Sequence, residues 1–520
     1  MSDPGSAVGG CAAADDSPFK WAKVIDHASC IGCHACTTAC KSENEVPLGV
    51  TRTYVKSVDV GVFPEARRAF QVTRCNQCDD APCTVACPTS AMYRRDDGIV
   101  DFDKNACIGC KACIAACPYD AIFINPEDHS AEKCNFCAHR LDVGLEPACV
   151  TVCPTQAILV GDMNDPESRV AQMINRQPVT VRRPEKDTQP KLFYRGAHQG
   201  TLDPLAATRP EGGLYMWSEQ PAGAHHVGAG HPQADGVGAN NSSAAAVLSY
   251  DVAHKAPWDW RVSAYTLTKG VASGVYLVMS LLVLNGLGAA DGFLWQTLTP
   301  VAALLFLALT GGLLISDLEQ PKRFFYIFTR PQWRSWLVKG AFIIAAYGLL
   351  LTVHGGMGLA GVELGWTTLL GIPLAGLTAV YTAFLFAQAK ARDLWQNPLL
   401  PAHLLVQAVV AGAAVLLPAS MLWEPELSGA LARILAVSSL VHLLMVWGES
   451  ALPQVTAHAR LAHREMTSGR FGAYYKASLV LSALALAAPI LGPAAALPAL
   501  LGLAAFEHAY VQAGQSVPLA

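Results

Sequence analysis

The sequence predicts two parts of different fold class, an α+β domain rich in cysteine followed by an all-α bundle of transmembrane helices. Sixteen of the 17 cysteines fall into four tetrads, all within the first third of the chain. The second half is dominated by Leu, Ala, Val and Gly, in apolar stretches near the ~20 residues that cross a bilayer. Charged residues make up 15% of the chain, against about 25% in ordinary soluble domains. One aqueous part and one lipid-embedded part are therefore expected.

The cysteine tetrads have the spacing of iron–sulfur ligands. They are Cys30-x2-Cys33-x2-Cys36-x3-Cys40, Cys75-x2-Cys78-x4-Cys83-x3-Cys87, Cys107-x2-Cys110-x2-Cys113-x3-Cys117 and Cys134-x2-Cys137-x11-Cys149-x3-Cys153. The first and third match the run in which the last cysteine ligates a neighbouring cluster. Four tetrads predict four [4Fe–4S] clusters and a path for single electrons. Strand-like segments between them, such as Lys23–Asp26 and Gly98–Asp101, predict a tandem ferredoxin-like α+β domain.

Zinc and disulfides are the alternative roles for these cysteines. Cys-x2-Cys pairs often bind structural zinc, but zinc does not explain the repeated four-cysteine run. Disulfide scaffolds belong to small exported domains, and residues 1–16 have neither the apolar core nor the twin arginines of an export signal. Iron–sulfur clusters are therefore favoured over zinc, and zinc over disulfides.

Composition divides the chain into four regions. They are a disordered tail over 1–18, a four-cluster domain over 19–180, an extended or flexible linker over 181–255 and an integral membrane domain over 256–520. The linker is expected because residues 220–249 are rich in Gly, Ala, Ser, His and Asn. Its His225, His226 and His231 could bind metal, but a solvated linker is the favoured interpretation.

Eight membrane spans are predicted. They cover about 265–287, 294–315, 335–353, 367–388, 399–421, 431–450, 474–490 and 493–512. With this count, the loops on the iron–sulfur side carry most of the Lys and Arg residues, whereas the opposite loops offer only Arg433. The positive-inside rule then places the iron–sulfur side in the cytoplasm. We expect an integral protein of the cell (inner) membrane whose iron–sulfur domain faces the cytoplasm.

The first 160 residues resemble the four-cluster electron-transfer subunits of molybdenum oxidoreductases of the dimethyl-sulfoxide and polysulfide reductase type. The motifs are Cys30-Ile31-Gly32-Cys33-His34-Ala35-Cys36, Arg74-Cys75-Asn76-Gln77-Cys78, Cys107-Ile108-Gly109-Cys110-Lys111-Ala112-Cys113 and Lys133-Cys134-Asn135-Phe136-Cys137. The resemblance implies that the first tetrad shares its clusters with the fourth, and the second with the third. The implied sets are Cys30/Cys33/Cys36/Cys153, Cys40/Cys134/Cys137/Cys149, Cys75/Cys78/Cys83/Cys117 and Cys87/Cys107/Cys110/Cys113.

The membrane half resembles the NrfD-like anchor of polysulfide reductase. The motifs are Ser316-Asp317-Leu318-Glu319-Gln320-Pro321 with Arg323-Phe324, Tyr381-Thr382-Ala383-Phe384-Leu385 and Ala513-Gly514-Gln515. The resemblance implies an eight-helix subunit that reacts with quinone or quinol and contains no haem. Such anchors are usually separate polypeptides, so the fusion is a departure from the family pattern.

Ionisable residues in membrane spans usually mark ion or proton routes, and here most lie near the iron–sulfur end. Asp317, Tyr265, Lys269 and His403 are the predicted quinone or proton residues. The structural alternative is that Lys269 extends to the membrane interface and that Asp317 pairs with Arg323. No pair of histidines has the spacing for two haems.

The leading hypothesis is an oxidoreductase subunit that carries electrons between a separate molybdopterin-type catalytic subunit and the membrane quinone pool. The chain has no dinucleotide fingerprint and no flavin or molybdopterin motif, so substrate chemistry is expected elsewhere. The alternative is a redox-driven proton-translocating module that uses His442, which is otherwise a packed core histidine. A zinc-stabilised membrane scaffold is the third hypothesis. A net charge of −4 gives no support to nucleic-acid binding.

Overall fold

The computed structural model describes residues 19–61, 64–208, 246–362 and 365–520. The predicted tail over 1–18 lies outside these residues. So does the segment 209–245, which contains His225, His226 and His231 and forms the middle of the predicted linker.

The iron–sulfur region is built from small sheets and short helices. Its strands are β1 (Trp21–Asp26), β2 (Thr53–Val60), β3 (Arg67–Arg74), β4 (Met92–Arg94), β5 (Val100–Phe102), β6 (Ile122–Ile124), β7 (Ala131–Lys133), β8 (Ile158–Asp162), β9 (Val179–Thr180), β10 (Leu192–Arg195) and β11 (Ala246–Tyr250). Its helices are α1 (Ala35–Glu43), α2 (Pro82–Ala86), α3 (Ala112–Ala116), α4 (Ala138–Leu141), α5 (Ala148–Thr151), α6 (Arg169–Arg176) and α7 (Gln199–Leu202). Five of these helices begin within or directly beside a cysteine tetrad.

Two sheets and two hairpins connect these elements. One sheet has the order β8-β1-β10-β9, in which β1 and β10 are parallel, and the other has the order β11-β2-β3. The hairpins are β4-β5 and β6-β7. Strands β10 and β11 fall within the predicted linker of residues 181–255, yet they complete the ladders of β1 and β2. Because buried backbone groups need partners, these parts of the predicted linker belong to the folded iron–sulfur region.

The membrane region is entirely helical. Its helices are α8 (Trp260–Leu284), α9 (Thr299–Ser316), α10 (Tyr326–Thr329), α11 (Trp336–Leu359), α12 (Gly365–Gln388), α13 (Leu400–Trp423), α14 (Ser428–Ala451), α15 (Ala457–Thr467), α16 (Gly472–Ala485), α17 (Ala488–Leu491) and α18 (Ala496–Gln515). A π-helical turn, Leu294–Leu298, leads directly into α9.

Seven helical segments of the described chain are long and apolar enough to cross a membrane, so the predicted count of eight is not reproduced. The first six coincide with predicted spans. The difference lies at the end, where α17 and α18 count together as one segment, Ala488–Gln515. Helix α16 has 14 residues, a rise of about 21 Å, which is less than the ~30 Å of a bilayer core.

Helix α8 forms the centre of the bundle and packs against α9, α12, α13 and α18. Its crossing with α13 depends on glycine, since a Cβ at Gly274 would lie 1.7 Å from the carbonyl oxygen of Ala408. Gly412 on α13 meets the Gly274 backbone in the same way. Small residues allow such close approach between membrane helices. Buried side chains of α8 therefore face the interior of the bundle.

Candidate iron–sulfur and quinone sites

Folding gathers the sixteen tetrad cysteines into four groups. Cavities are lined by the first group, Cys30, Cys33, Cys36 and Cys153, and by the fourth group, Cys87, Cys107, Cys110 and Cys113. The second group consists of Cys40 and the three cysteines around its thiol, Cys134, Cys149 and Cys137. The third group consists of Cys78 and the three cysteines around its thiol, Cys75, Cys117 and Cys83. The groups contain the same cysteines as the four implied ligand sets.

Contacts connect the four groups in order. Between the second and third groups, Gln77, which lies between Cys75 and Cys78 in the chain, donates to the carbonyl oxygen of Cys134 at 2.7 Å. Cys36 of the first group faces Cys149 of the second, and Cys83 of the third faces Cys87 and Cys113 of the fourth. The first group reaches the surface, where Cys33 is exposed. The fourth group lies against the membrane region, as described below. The arrangement therefore connects the outer surface with the helical bundle.

The donor set fits a multi-iron cluster. None of the sixteen described cysteines forms a disulfide. Among the described residues, no group of three or more His, Cys, Asp or Glu side chains is arranged to hold a single metal ion. Four sulfurs that bind one zinc ion at about 2.3 Å each lie only about 3.8 Å from one another. Since the described cysteines form no such compact site for a single ion, their arrangement suits a larger, multi-iron cluster. Backbone amides supply the hydrogen bonds that cluster sulfurs accept, as Gly109 and Ala131 do toward Cys107 Sγ at 3.4 and 3.3 Å.

Positive charge distinguishes the second group. Burial raises the pKa of the Cys36 thiol in the first group to about 11. At Cys134 and Cys149, burial is outweighed by the charges of Lys23 and Arg74, which lower the pKa of both thiols.

The fourth group docks on the segment that follows α9. The amides of Glu319 and Gln320 donate to the carbonyl oxygens of Gly109 and Ile108, both at 3.2 Å. Arg323 donates to the carbonyl oxygen of Cys107 at 3.0 Å. Gly109 has a φ of +68°, and a Cβ there would lie 2.5 Å from the Glu319 side chain. Only glycine permits this approach between the cysteine loop and the membrane region.

Asp317 belongs to this interface. Its carboxylate lies 3.3 Å from the ammonium of Lys111, a residue that stands between Cys110 and Cys113 in the chain. Arg323 instead donates to backbone carbonyl oxygens. The predicted alternative pairing of Asp317 with Arg323 is therefore wrong. Burial raises the pKa of Asp317 to about 6, and Lys111 partly opposes this effect.

Lys269 occupies the interior of the bundle. It is only 1% exposed, and its ammonium donates to the carbonyl oxygen of Ala379 at 2.8 Å and to Thr382 Oγ1 at 2.7 Å. It therefore does not extend to the membrane interface, as the structural alternative required. The ammonium also lies 5.0 Å from the centre of the Tyr381 ring.

A cavity adjoins Lys269. It is lined by Thr266, Leu267, Lys269, Gly270, Ala379, Leu404, Gln407, Ala411, Leu503 and Glu507. Of the four predicted quinone or proton residues, only Lys269 contributes to its wall. Tyr265 lies one helical turn nearer the iron–sulfur region, and its buried hydroxyl has no hydrogen-bond partner among the described residues. Its electrostatic neighbours include Tyr381, Glu507 and Asp317.

His403 begins a buried hydrogen-bonded series. Its Nδ1 lies 3.1 Å from a carboxylate oxygen of Glu449, and its Nε2 lies 2.9 Å from Nδ1 of His442. Asn397 donates to the same Glu449 oxygen at 2.9 Å. His442 is thus joined to the iron–sulfur end of the bundle, although it lies well inside α14.

Several of these contacts are not indicated by the local sequence. Lys111 stands out only as part of a cysteine motif, and Glu507 and Gln407 are two of many polar residues near one membrane face. Glu507 on α18 and Gln407 on α13 matter because packing brings them to the same cavity as Lys269 on α8, and no local spacing in the sequence reveals this. The NrfD-like motifs did include Tyr381 and Thr382, which meet Lys269.

Family comparisons agree with this geometry. Residues 67–163 match the family model of the 4Fe-4S dicluster domain. Residues 249–511 match the model described as polysulphide reductase, NrfD, which covers half of the chain. The protein belongs to the NrfD family. The NrfD match and the seven apolar segments identify an integral membrane protein, and the prediction of an iron–sulfur domain fused to an NrfD-like membrane domain is confirmed.

Curated relatives of this NrfD-family chain match its iron–sulfur part. A tetrathionate reductase subunit of Salmonella typhimurium is 44% identical over 190 residues, which are 36% of this chain and 76% of the relative. A polysulfide reductase subunit of Wolinella succinogenes is 44% identical over 187 residues, 35% of this chain and 98% of the relative. A selenate reductase subunit of Mesobacillus selenatarsenatis is 38% identical over 209 residues, 34% of this chain and 72% of the relative.

His254, in the segment between β11 and α8, is held by two carboxylates. It lies between Asp120, which follows the third tetrad, and Asp251, which precedes α8. Burial acts to lower the pKa of His254, but the two carboxylates outweigh burial and raise the pKa to about 10. A protonated His254 is therefore held between two carboxylates at the junction.

Replacing His254 with Gln is expected to lower stability by roughly 3 kcal/mol, the cost of breaking a buried ion pair. Because the folded pKa is about 10 and the unfolded value about 6.5, the contribution is complete below pH 6.5. It is lost as the pH rises through 10. The unfolding midpoints of the parent protein and of His254→Gln, measured in detergent, should therefore differ most at pH 6 and approach each other as the pH rises to 10. His139→Gln is the control, since its pairing with Glu43 is half exposed and contributes little; an equal loss there would contradict the assignment.

Proposed function

We propose that the chain transfers electrons between a separate catalytic subunit and the membrane quinone pool, through four [4Fe–4S] clusters held by the four cysteine groups. The docking of the fourth group on the segment after α9 carries this proposal. Gly109 and Lys111 lie within its cysteine run and contact Glu319 and Asp317. The last cluster would therefore lie directly above the end of α8 that bears Tyr265 and Lys269.

The outer end of the row of cysteine groups is the proposed contact with the catalytic subunit. Cys33 is exposed and Ile31 beside it is 58% exposed, so the first cluster would lie close to a bound partner. The relatives are named as subunits of tetrathionate, polysulfide and selenate reductases. These names support a reductase as the partner, with substrate conversion outside this chain, and the resemblance to subunits of molybdenum oxidoreductases adds the molybdopterin type to the proposal.

The proposed quinone site lies around Lys269. A quinone needs an apolar slot with a few polar groups for its two oxygens, and the cavity combines Leu267, Leu404 and Leu503 with Lys269, Gln407 and Glu507. Tyr265 and Asp317 lie between this cavity and the fourth group. His403, linked to Glu449, is the proposed route for protons to the site. Neither haem nor flavin is part of this proposal.

The iron–sulfur region is proposed to face the cytoplasm. Arg323, Arg392 and Arg464 lie on its side of the bundle, and the positive-inside rule places such residues in the cytoplasm. Gln515 at the end of α18 donates to the carbonyl oxygen of Trp258, just before α8, at 2.5 Å, so both ends of the bundle lie on the iron–sulfur side. The number of crossings is then even, which holds if α16 and α17 together cross the membrane as one interrupted span. The chain would then be an eight-span protein of the inner membrane.

Metal analysis of the purified full-length protein tests the proposed clusters. Four cubanes predict about sixteen irons and sixteen acid-labile sulfides per chain, with paramagnetic signals that appear on reduction. About four zinc ions without sulfide would instead support the zinc-stabilised scaffold.

Lys269→Met is expected to slow electron transfer to quinone at least tenfold without changing iron content, because the substitution removes the cation that faces the proposed quinone oxygen. The measurement is the rate at which added decylubiquinone reoxidises the dithionite-reduced protein. Lys339→Met is the matched control, since this lysine packs over the Trp336 ring, 4.5 Å from its centre. An unchanged rate in Lys269→Met would remove Lys269 from the quinone site.

Redox-driven proton translocation is the second candidate, and the His403–His442 hydrogen bond of 2.9 Å favours it. In proteoliposomes that oxidise a short-chain quinol with ferricyanide as the electron acceptor, His442→Gln should then abolish proton movement while electron transfer continues. His508→Gln is the control, because this histidine packs beside Tyr474 away from the hydrogen-bonded series. A parent protein that moves no protons across the membrane would eliminate this candidate.

A further inference from the structure

Two buried cations flank the second cysteine group, which contains Cys40, Cys134, Cys137 and Cys149. Arg74, at the end of β3, is 2% exposed, and Lys23 in β1 is 1% exposed. The Lys23 ammonium has no hydrogen-bond partner among the described residues, and neither do Nε and Nη2 of Arg74. Two charges removed from water without such partners would cost several kcal/mol each unless another negative group compensates them.

The compensating groups are the cysteine sulfurs. Arg74 Nη1 donates to Cys149 Sγ at 3.0 Å, and the charges that attract Arg74 most are those of Cys149, Cys36 and Cys134. Lys23 lies 3.9 Å from the centre of the Phe136 ring, and its charge acts on Cys134 and Cys149. Both cations are therefore directed at the second group.

Asn44 adds further donors to the same group. Its Nδ2 lies 3.6 Å from Cys40 Sγ and 3.7 Å from Cys137 Sγ. Three of the four sulfurs thus face a side-chain N–H donor, and the charge of Lys23 acts on the fourth, that of Cys134. Hydrogen bonds to sulfur and nearby charge are the principal means by which a protein sets a cluster potential.

The first group is open to solvent, and the cations near the third and fourth groups are bound to backbone carbonyl oxygens or paired with a carboxylate. The first group opens to solvent at Cys33. Near the third group, the charge of Lys133 acts on Cys83, but the Lys133 ammonium donates to the carbonyl oxygens of Val100 and Cys134. Near the fourth group, Arg323 donates to backbone carbonyl oxygens and Lys111 pairs with the carboxylate of Asp317.

We propose that Arg74 and Lys23 give the second cluster the highest reduction potential of the four, so that the first electron to enter the protein resides there. The inference rests on the proposed function, because it requires the clusters. One electron, supplied by the catalytic subunit or by quinol, adds one negative charge among these sulfurs. Arg74 and Lys23 stabilise that charge without proton uptake, since both are already cationic. Low local polarity strengthens the effect.

A redox titration of the purified full-length protein, followed by electron paramagnetic resonance, tests this inference. In Lys23→Gln, the highest of the four midpoint potentials should fall by at least about 59 mV, which corresponds to a tenfold change in the equilibrium constant for one-electron reduction. Arg74→Gln should lower the same potential and, to a smaller extent, that of the first group, because Arg74 also faces Cys36. Arg74→Lys should restore most of the loss.

Arg68→Gln is the matched control, because Arg68 lies on the same strand but is exposed and paired with Asp59. Four intact clusters whose highest potential is unchanged in Lys23→Gln and Arg74→Gln would overturn the inference. If Arg74→Gln loses one cluster, about four irons, Lys23→Gln decides alone, since Lys23 donates no hydrogen bond to sulfur. A parent protein without iron and sulfide would instead overturn the proposed function, and this inference with it.

Discussion

The contact between the third cysteine tetrad and the segment after α9 is the constraint on which the rest of the molecule depends. Backbone hydrogen bonds from Glu319 and Gln320 hold the Ile108–Gly109 loop against the end of α9. Backbone contacts tolerate little displacement, and Gly109 is the residue that permits the approach. Electron transfer needs proximity above all, and this docking places a cysteine group beside the bundle.

Buried charge is used differently in the two regions. In the iron–sulfur region, Arg74 and Lys23 are directed at sulfur, which suits a group that changes charge by one electron. In the bundle, Lys269 is satisfied by Ala379 and Thr382 and faces Glu507 across a cavity. An ammonium and a carboxylate at a membrane cavity suit chemistry that moves protons together with electrons. The two reactions thus have separate electrostatic settings.

Fusion of the two regions lets the polypeptide reinforce their junction with its own segments. Trp258, just before α8, donates from its indole to the carbonyl oxygen of Cys110 at 3.2 Å and stacks on Trp395. Strand β11 pairs with β2 only ten residues before α8 begins. The connection that composition predicts as a flexible linker is therefore anchored at both described ends, and the iron–sulfur region has a defined orientation on the bundle.

Local patterns in the sequence were sufficient for the four cysteine tetrads, the α+β and all-α division and six membrane spans, because cysteine spacing and apolar length are properties of neighbouring residues. The sharing of cysteines between distant tetrads was predicted only by the family resemblance. Long-range folding was required for the rest. Lys111 meets Asp317 across 206 positions, and Arg74 reaches Cys149 across 75, so neither contact leaves a trace in spacing. The predicted and observed spans differ at the end of the chain because α16 is short and α17 and α18 count together as one apolar segment. Which buried polar residues face a sulfur, a cavity or each other depends on how the helices and sheets pack, and only tertiary structure determines that.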